Sequence, residues 1–266
     1  MSRRGQHYFS GVRRPDSTAS DIGAAPTGAA SSPARRRSVA IDALRGAAIA
    51  LMIVYHFCFD LRFYRVIDAD FEHDPFWLGF RALIVTSFLL LVGVSLVLAD
   101  RARASPAHFW KRFAMIAACA LAASAGSYLV FPRTFIYFGI LHCIAVTSLL
   151  ANPLTHRPRA AAALGVVVIV AGLAFAHPAF DERAVSWLGF TTRKPATEDF
   201  VPLAPWAGVV LIGLALGNAL VRTHFRPIIP LDAAPAWLQW LGRHSLFIYM
   251  VHQPALLGLL WLAVRK

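Results

Sequence analysis

Two pairs of ionisable residues in one apolar stretch, IDALRGAAIALMIVYHFCFD, carry the first chemical signal. Asp42 and Arg45 lie three residues apart at its start, and His56 and Asp60 lie four apart at its end. On a helix both spacings bring the side chains to one face. A carboxylate beside an imidazole fixes its tautomer and favours its charged form, which is how a general base is oriented. The same pair serves equally as a polar tie at a helix end. Asp42 with Arg45 reads either as a helix-end ion pair or as a contact for a phosphate-bearing ligand. Downstream, HDPFWLGFR places His73 in a connection and Arg81 one turn into the next apolar run. An arginine there either snorkels to the interface or stabilises an oxyanion near His56. His142, in YFGILHCIA, and His252, in YMVHQPALL, sit in two later runs. Each reads as part of a shared polar cavity or as a buried histidine bonded to a neighbouring helix. No HxxxH, ExxH or clustered thiolate accompanies them, so no metal site is expected.

The elements that must position these groups are apolar helices. Of 266 residues 58% are hydrophobic and only 15% charged, with a mean hydropathy of +0.57. A soluble domain is nearer half apolar and a quarter charged. Seven runs approach the roughly 20 residues that cross a hydrocarbon core: 39–60, 76–98, 110–131, 134–152, 160–177, 203–222 and 245–263. The expected fold is an all-α polytopic transmembrane bundle of about seven spans, residues 38–266, preceded by a disordered basic tail over residues 1–37. Gly93 and Ser95 in the second run read as close helix packing. Cys58, Cys119 and Cys143 lie inside apolar runs without CxxC spacing and read as small buried hydrophobes.

The net charge of +12 is a matter of topology rather than of nucleic-acid binding, and no nucleic-acid partner is expected. Seven arginines fall in the first 37 residues, ending at Arg35, Arg36 and Arg37. Alternate connections are basic: Arg101, Arg103, Lys111 and Arg112, then Arg157 and Arg159, then Arg222, Arg226 and Arg243. The opposite set holds Asp68, Asp70, Glu72 and Asp74, and later Asp181, Glu182, Glu198 and Asp199. By the positive-inside rule the N-terminus is cytoplasmic and, with seven spans, the C-terminus is outside. Residues 227–244, with three prolines and two tryptophans, read as an interfacial segment on the cytoplasmic side. Residues 178–202 form the longest outer loop, and Trp187, Phe190, Phe200 and Trp206 favour its ordering. No internal repeat of the transporter kind is present.

Five blocks in order, IDALRGAAIALMIVYHF, FLLLVGVSLVL, RTFIYFGILHCIA, VPLAPWAGVVLIGLALG and LGRHSLFIYMVHQP, resemble the heparan-alpha-glucosaminide N-acetyltransferase catalytic-domain family in its short bacterial members. The first and last are also similar to the wider superfamily of membrane acyltransferases that O-acetylate surface polysaccharides. The resemblance implies acetyl transfer from cytoplasmic acetyl-CoA to a sugar amine or hydroxyl on the periplasmic side, in a multi-pass protein of the inner membrane. His56, after the D-x-x-R-G run, matches the superfamily's first-helix histidine. The eukaryotic branch has asparagine there and keeps its catalytic histidine in the following outward loop, where His73 is the only histidine. The catalytic candidates are therefore His56 with Asp60, and secondarily His73.

Donor-binding candidates are Asp42, Arg45 and His142. Acceptor-binding candidates are Arg81, Trp187, Asp199, Trp206 and His252. No permanently bound cofactor is expected. The expected partners are the lipid bilayer, acetyl-CoA and a saccharide or glycan acceptor, and a homo-oligomer is allowed. The competing class is a proton-coupled transporter or flippase, in which intramembrane histidine and carboxylate would relay protons. A scaffold without chemistry is the third, and it leaves His56 with Asp60 unexplained.

Overall fold

The computed structural model describes residues 33–102 and 104–264, with side chains from Val39 onward. The expected disorder of the tail falls, for residues 1–32, outside the described residues, as do the side chains of Arg35, Arg36, Arg37 and Arg103. The chain belongs to the all-α class. Its helices are α1 (Pro33–Phe63), α2 (Pro75–Arg101), α3 (Pro106–Val130), α4 (Ile140–Ala151), α5 (Pro158–Ala174), the short α6 (Arg183–Ser186), α7 (Leu203–Arg222), α8 (Ala236–Arg243) and α9 (Ser245–Val264). No strand occurs among the described residues. A single isolated bridge pairs Phe138 with Phe200.

Helix starts follow local chemistry. Asp74 caps α2 by accepting the Phe76 N–H at 2.8 Å, and Pro75 occupies the first helical position, where its missing N–H costs nothing. Ser105 and Pro106 repeat the arrangement at α3. α1 begins at Pro33, six residues before the expected start of the first span at 39.

Five helices are long and apolar enough to cross a membrane, and α4 and α5 are shorter apolar helices. They coincide with the seven expected runs, with one correction. The expected fourth span, 134–152, is helical only from Ile140. At 12 residues α4 is about 18 Å long, from a rise of 1.5 Å per residue. Residues 131–139 are irregular because their backbone pairs elsewhere: Thr134 O accepts the Glu198 N–H and Phe138 O accepts the Val201 N–H.

The core lies where α2, α4 and α7 meet. Leu89, Val97, Cys143, Val210 and Leu214 are all but inaccessible there. Gly93 on α2 and Gly213 on α7 allow this approach. A Cβ on Gly93 would stand 2.2 Å from Val210 O, and one on Gly213 would stand 2.4 Å from Leu90 O. The packing role expected of Gly93 is thus met. At the end of the bundle where α1 begins, a Cβ on Gly242 of α8 would stand 1.8 Å from Asp42 O. α8 is therefore clamped backbone to backbone on α1, while Trp237 and Trp240 stay exposed. The outward faces carry Leu129, Leu173, Phe247 and Leu262, all exposed. Only lipid covers so much contiguous apolar surface at low cost.

Candidate active site

The sequence-predicted residues divide between the two ends of the bundle. At the end where α1 begins, Arg45 donates from Nη2 to Ser95 Oγ at 2.6 Å and faces Asp42 Oδ1 at 3.3 Å. Ser95 donates in turn to Leu91 O, so it does more than pack. Arg112 of α3 interacts electrostatically with Arg45 and makes no hydrogen bond or ion pair among the described residues. With Phe109, Phe113 and Ser148 it lines a narrow crevice between α2, α3 and α4. Two guanidiniums within electrostatic range of each other, one of them paired with Asp42, put positive charge in a half-buried place, the condition for holding a phosphate. The same end is cross-braced by Asn218, only 3% exposed. Its Nδ2 donates to Thr155 O at 2.9 Å and its Oδ1 accepts from Arg101 at 3.2 Å. His156 meets Asp100 at 3.1 Å beside it.

Toward the other end, α1 and α9 bring together His56, Asp60, His252 and a residue the sequence reading missed, Gln253. The His56 and His252 rings lie 4.9 Å apart, centroid to centroid. Asp60, 1% exposed, accepts from Gln253 Nε2 at 2.8 Å. This corrects the expected His56–Asp60 hydrogen bond: the carboxylate turns to α9, and His56 Nδ1 has no partner. Asp60 Oδ2, His252 Nε2 and Gln253 Oε1 are likewise enclosed without one. Each such atom costs about 1–3 kcal/mol, and a concentration of them marks a place built for something other than stability. A lone glutamine in an apolar span was the available signal for Gln253.

Arg81 borders this cluster. Its Nη2 donates to Phe200 O at 2.8 Å, and its charge is felt at Tyr55 and His56. One of its five N–H donors is thus committed to the loop over residues 178–202. Lys194 from the same loop lies near enough to Arg81, Glu72, Asp199 and Glu198 to feel their charges. It is exposed overall, yet burial by its surroundings, and then repulsion from Arg81, lower its pKa from the usual lysine value. Asp199 accepts the Ile140 N–H at 2.9 Å and so caps α4 across the chain.

Four other candidates fall elsewhere. His73 is exposed, with Nδ1 3.0 Å from Asp70 on a turn, and no contact joins it to His56 among the described residues. Asp70 is held below the usual carboxylate range, chiefly by the Glu72 backbone N–H and also by His73. His142 sits in the first turn of α4, not near the middle of a span, because the helix starts late. Its Nδ1 accepts the Gly139 N–H at 3.2 Å and its Nε2 meets Ser124 Oγ at 3.2 Å, so both nitrogens are engaged. Trp187 donates to Ala184 O at 2.8 Å, and with Trp206 it packs on the central core. Among the described residues, no group of three or more His, Cys, Asp or Glu is placed to hold a metal ion.

Fold and site together define a multi-pass membrane protein with a histidine–carboxylate cluster toward one end and paired arginines at the other. Residues 37–254 match the family model described as heparan-alpha-glucosaminide N-acetyltransferase, catalytic. That is well over half of the chain, and the chain belongs to this family of membrane acetyltransferases. No curated protein and no solved structure matches it.

Proposed function

We propose that the protein moves an acetyl group from cytoplasmic acetyl-CoA to a sugar amine or hydroxyl on the periplasmic side of the inner membrane. The observation that carries this reading is the enclosed Nδ1 of His56, on a ring packed against His252 and within electrostatic range of Arg81, in a chain of an acetyltransferase family. The bias of Lys and Arg toward the end of Arg45 supports placing that end in the cytoplasm. Arg45 and Arg112 would hold the donor's phosphates there, with Asp42 orienting Arg45.

At the cluster, His56 takes the proton from the acceptor's N–H or O–H as its nitrogen or oxygen attacks the thioester carbonyl. A new C–N or C–O bond forms, Arg81 stabilises the oxyanion, and the C–S bond breaks. The departing thiolate recovers the proton, so the step is balanced. His56 is favoured over His73 because His73 is exposed and tied to Asp70. Asp199 and Lys194, on the loop above Arg81, are suited to orient an acceptor.

The test is incubation of the purified protein with radiolabelled acetyl-CoA, with and without candidate amino sugars. Wild type is compared with His56→Ala and His73→Ala. Transfer that depends on His56 is expected. Absence of both CoA binding and transfer with any acceptor would favour a proton-coupled transporter or flippase instead.

A further inference from the structure

The cluster holds more histidine chemistry than one general base requires. His252 Nδ1 lies 2.6 Å from Tyr249 O. A carbonyl only accepts, so Nδ1 carries the proton and Nε2 of the neutral ring is a bare lone pair. That Nε2 is enclosed and meets no donor. Gln253 spends its amide N–H on Asp60, which leaves Oε1 as a second enclosed acceptor without a donor. Asp60 Oδ2 is the third. The remaining orphan is His56 Nδ1, on the ring that packs against His252. Each of the two packed rings thus carries one enclosed nitrogen without a partner, and low local polarity strengthens whatever bond a proton placed between them would make.

We propose that His252 is the proton-storing partner of His56, on two helices that the Asp60–Gln253 bond ties together. This rests on the acetyl-transfer reading. The acceptor's X–H bond breaks and its proton passes to His56, then to His252 Nε2, while the X–C bond forms. The proton returns through His56 to the thiolate when the C–S bond breaks, so none is gained or lost over the cycle. The charged and titratable groups around the pair are Tyr55 from α1, against the His56 ring, Asp60 one turn further along α1, Arg81 from α2 and Tyr249 from α9. His252 acts through His56 and is a positioning residue.

Two measurements test this. The first is ¹⁵N NMR of imidazole-labelled full-length protein in lipid nanodiscs. His252 is expected as the Nδ1–H tautomer, with its Nε2 resonance displaced toward the protonated position and the displacement lost in His56→Ala. An Nε2–H tautomer, or a His252 spectrum indifferent to His56→Ala, overturns the proposal. The second is the pH–rate profile of acetyl transfer for His252→Ala and His252→Gln. Both are expected to lose ~10²-fold in kcat with KM for acetyl-CoA unchanged and the profile altered in shape. Recovery of wild-type kcat and profile by His252→Gln, which keeps polarity and much of the volume, would make the role structural and overturn it. If wild type transfers nothing, the acetyl-transfer reading fails, and the nitrogen spectra alone decide whether the proton is shared.

Discussion

Gln253 of α9 donates to Asp60 of α1 across 2.8 Å, a side-chain bond that joins the last helix to the first. None of the residues of α9 is fully buried. Its seat depends on Gln253, on the Tyr64 hydroxyl donating to Leu257 O at 3.1 Å, and on Leu246, Tyr249 and Met250 against the core. Gln253→Leu removes the donor and leaves Asp60 buried with neither oxygen bonded. We expect a loss of about 1.5–3 kcal/mol, the range for a hydrogen bond to a charged group, read as a lower unfolding temperature in detergent.

His56→Ala should cost acetyl transfer ~10²-fold or more, the contribution typical of a positioned general base. His73→Ala should leave the rate near wild type, because that ring is exposed and bonded to Asp70. Radiolabel transfer measured on both variants checks the contrast, and the reverse order would move the catalytic role to the loop.

Arg112→Gln should raise KM for acetyl-CoA with little change in kcat, since Arg112 lies at the end of the bundle away from His56. Losing one charge-assisted contact of about 1.5–3 kcal/mol corresponds to roughly 10- to 100-fold. Steady-state kinetics with varied donor concentration separates the two parameters.

Asn218→Leu should destabilise the fold by about 1–3 kcal/mol, because Thr155 O and Arg101 lose a buried partner together. Transfer measured well below the unfolding temperature should persist, since none of these groups approaches the histidine cluster.

Lys194 should lose its proton at a lower pH than a free lysine does, because burial and then Arg81 both disfavour its charged form. Competitive acylation across a pH series, followed by peptide mass mapping, reports this midpoint. Arg81→Gln removes the repulsion and should move the midpoint upward without restoring it fully.

The fold was legible where one physical signal dominated. Apolar runs long enough for lipid marked α2, α7 and α9 closely, and Gly93 read correctly as a point of close approach. Local signals failed where long-range partners took over. The irregular backbone of 131–139 depends on pairing with 198–201, which no window around residue 134 reveals. The i,i+4 spacing placed His56 and Asp60 on one face, but it could not show that Asp60 would bond a residue nearly two hundred positions away. Of the candidate site, His56, Asp60, Arg81 and His252 converge. Gln253 had a signal, a lone glutamine in an apolar span, but one that names no partner; Arg112 read only as loop charge; and Lys194 emerges only once the chain is assembled.

α1 carries Arg45 and His56 on one uninterrupted helix, eleven positions apart. At 1.5 Å per residue the axial separation is about 16 Å. On the proposed reading this rigid rod is a gauge that selects donors by length. A molecule whose phosphate adjoins its acyl group, such as acetyl phosphate, reaches one end or the other. Only a donor with an extended arm between phosphate and thioester occupies both at once.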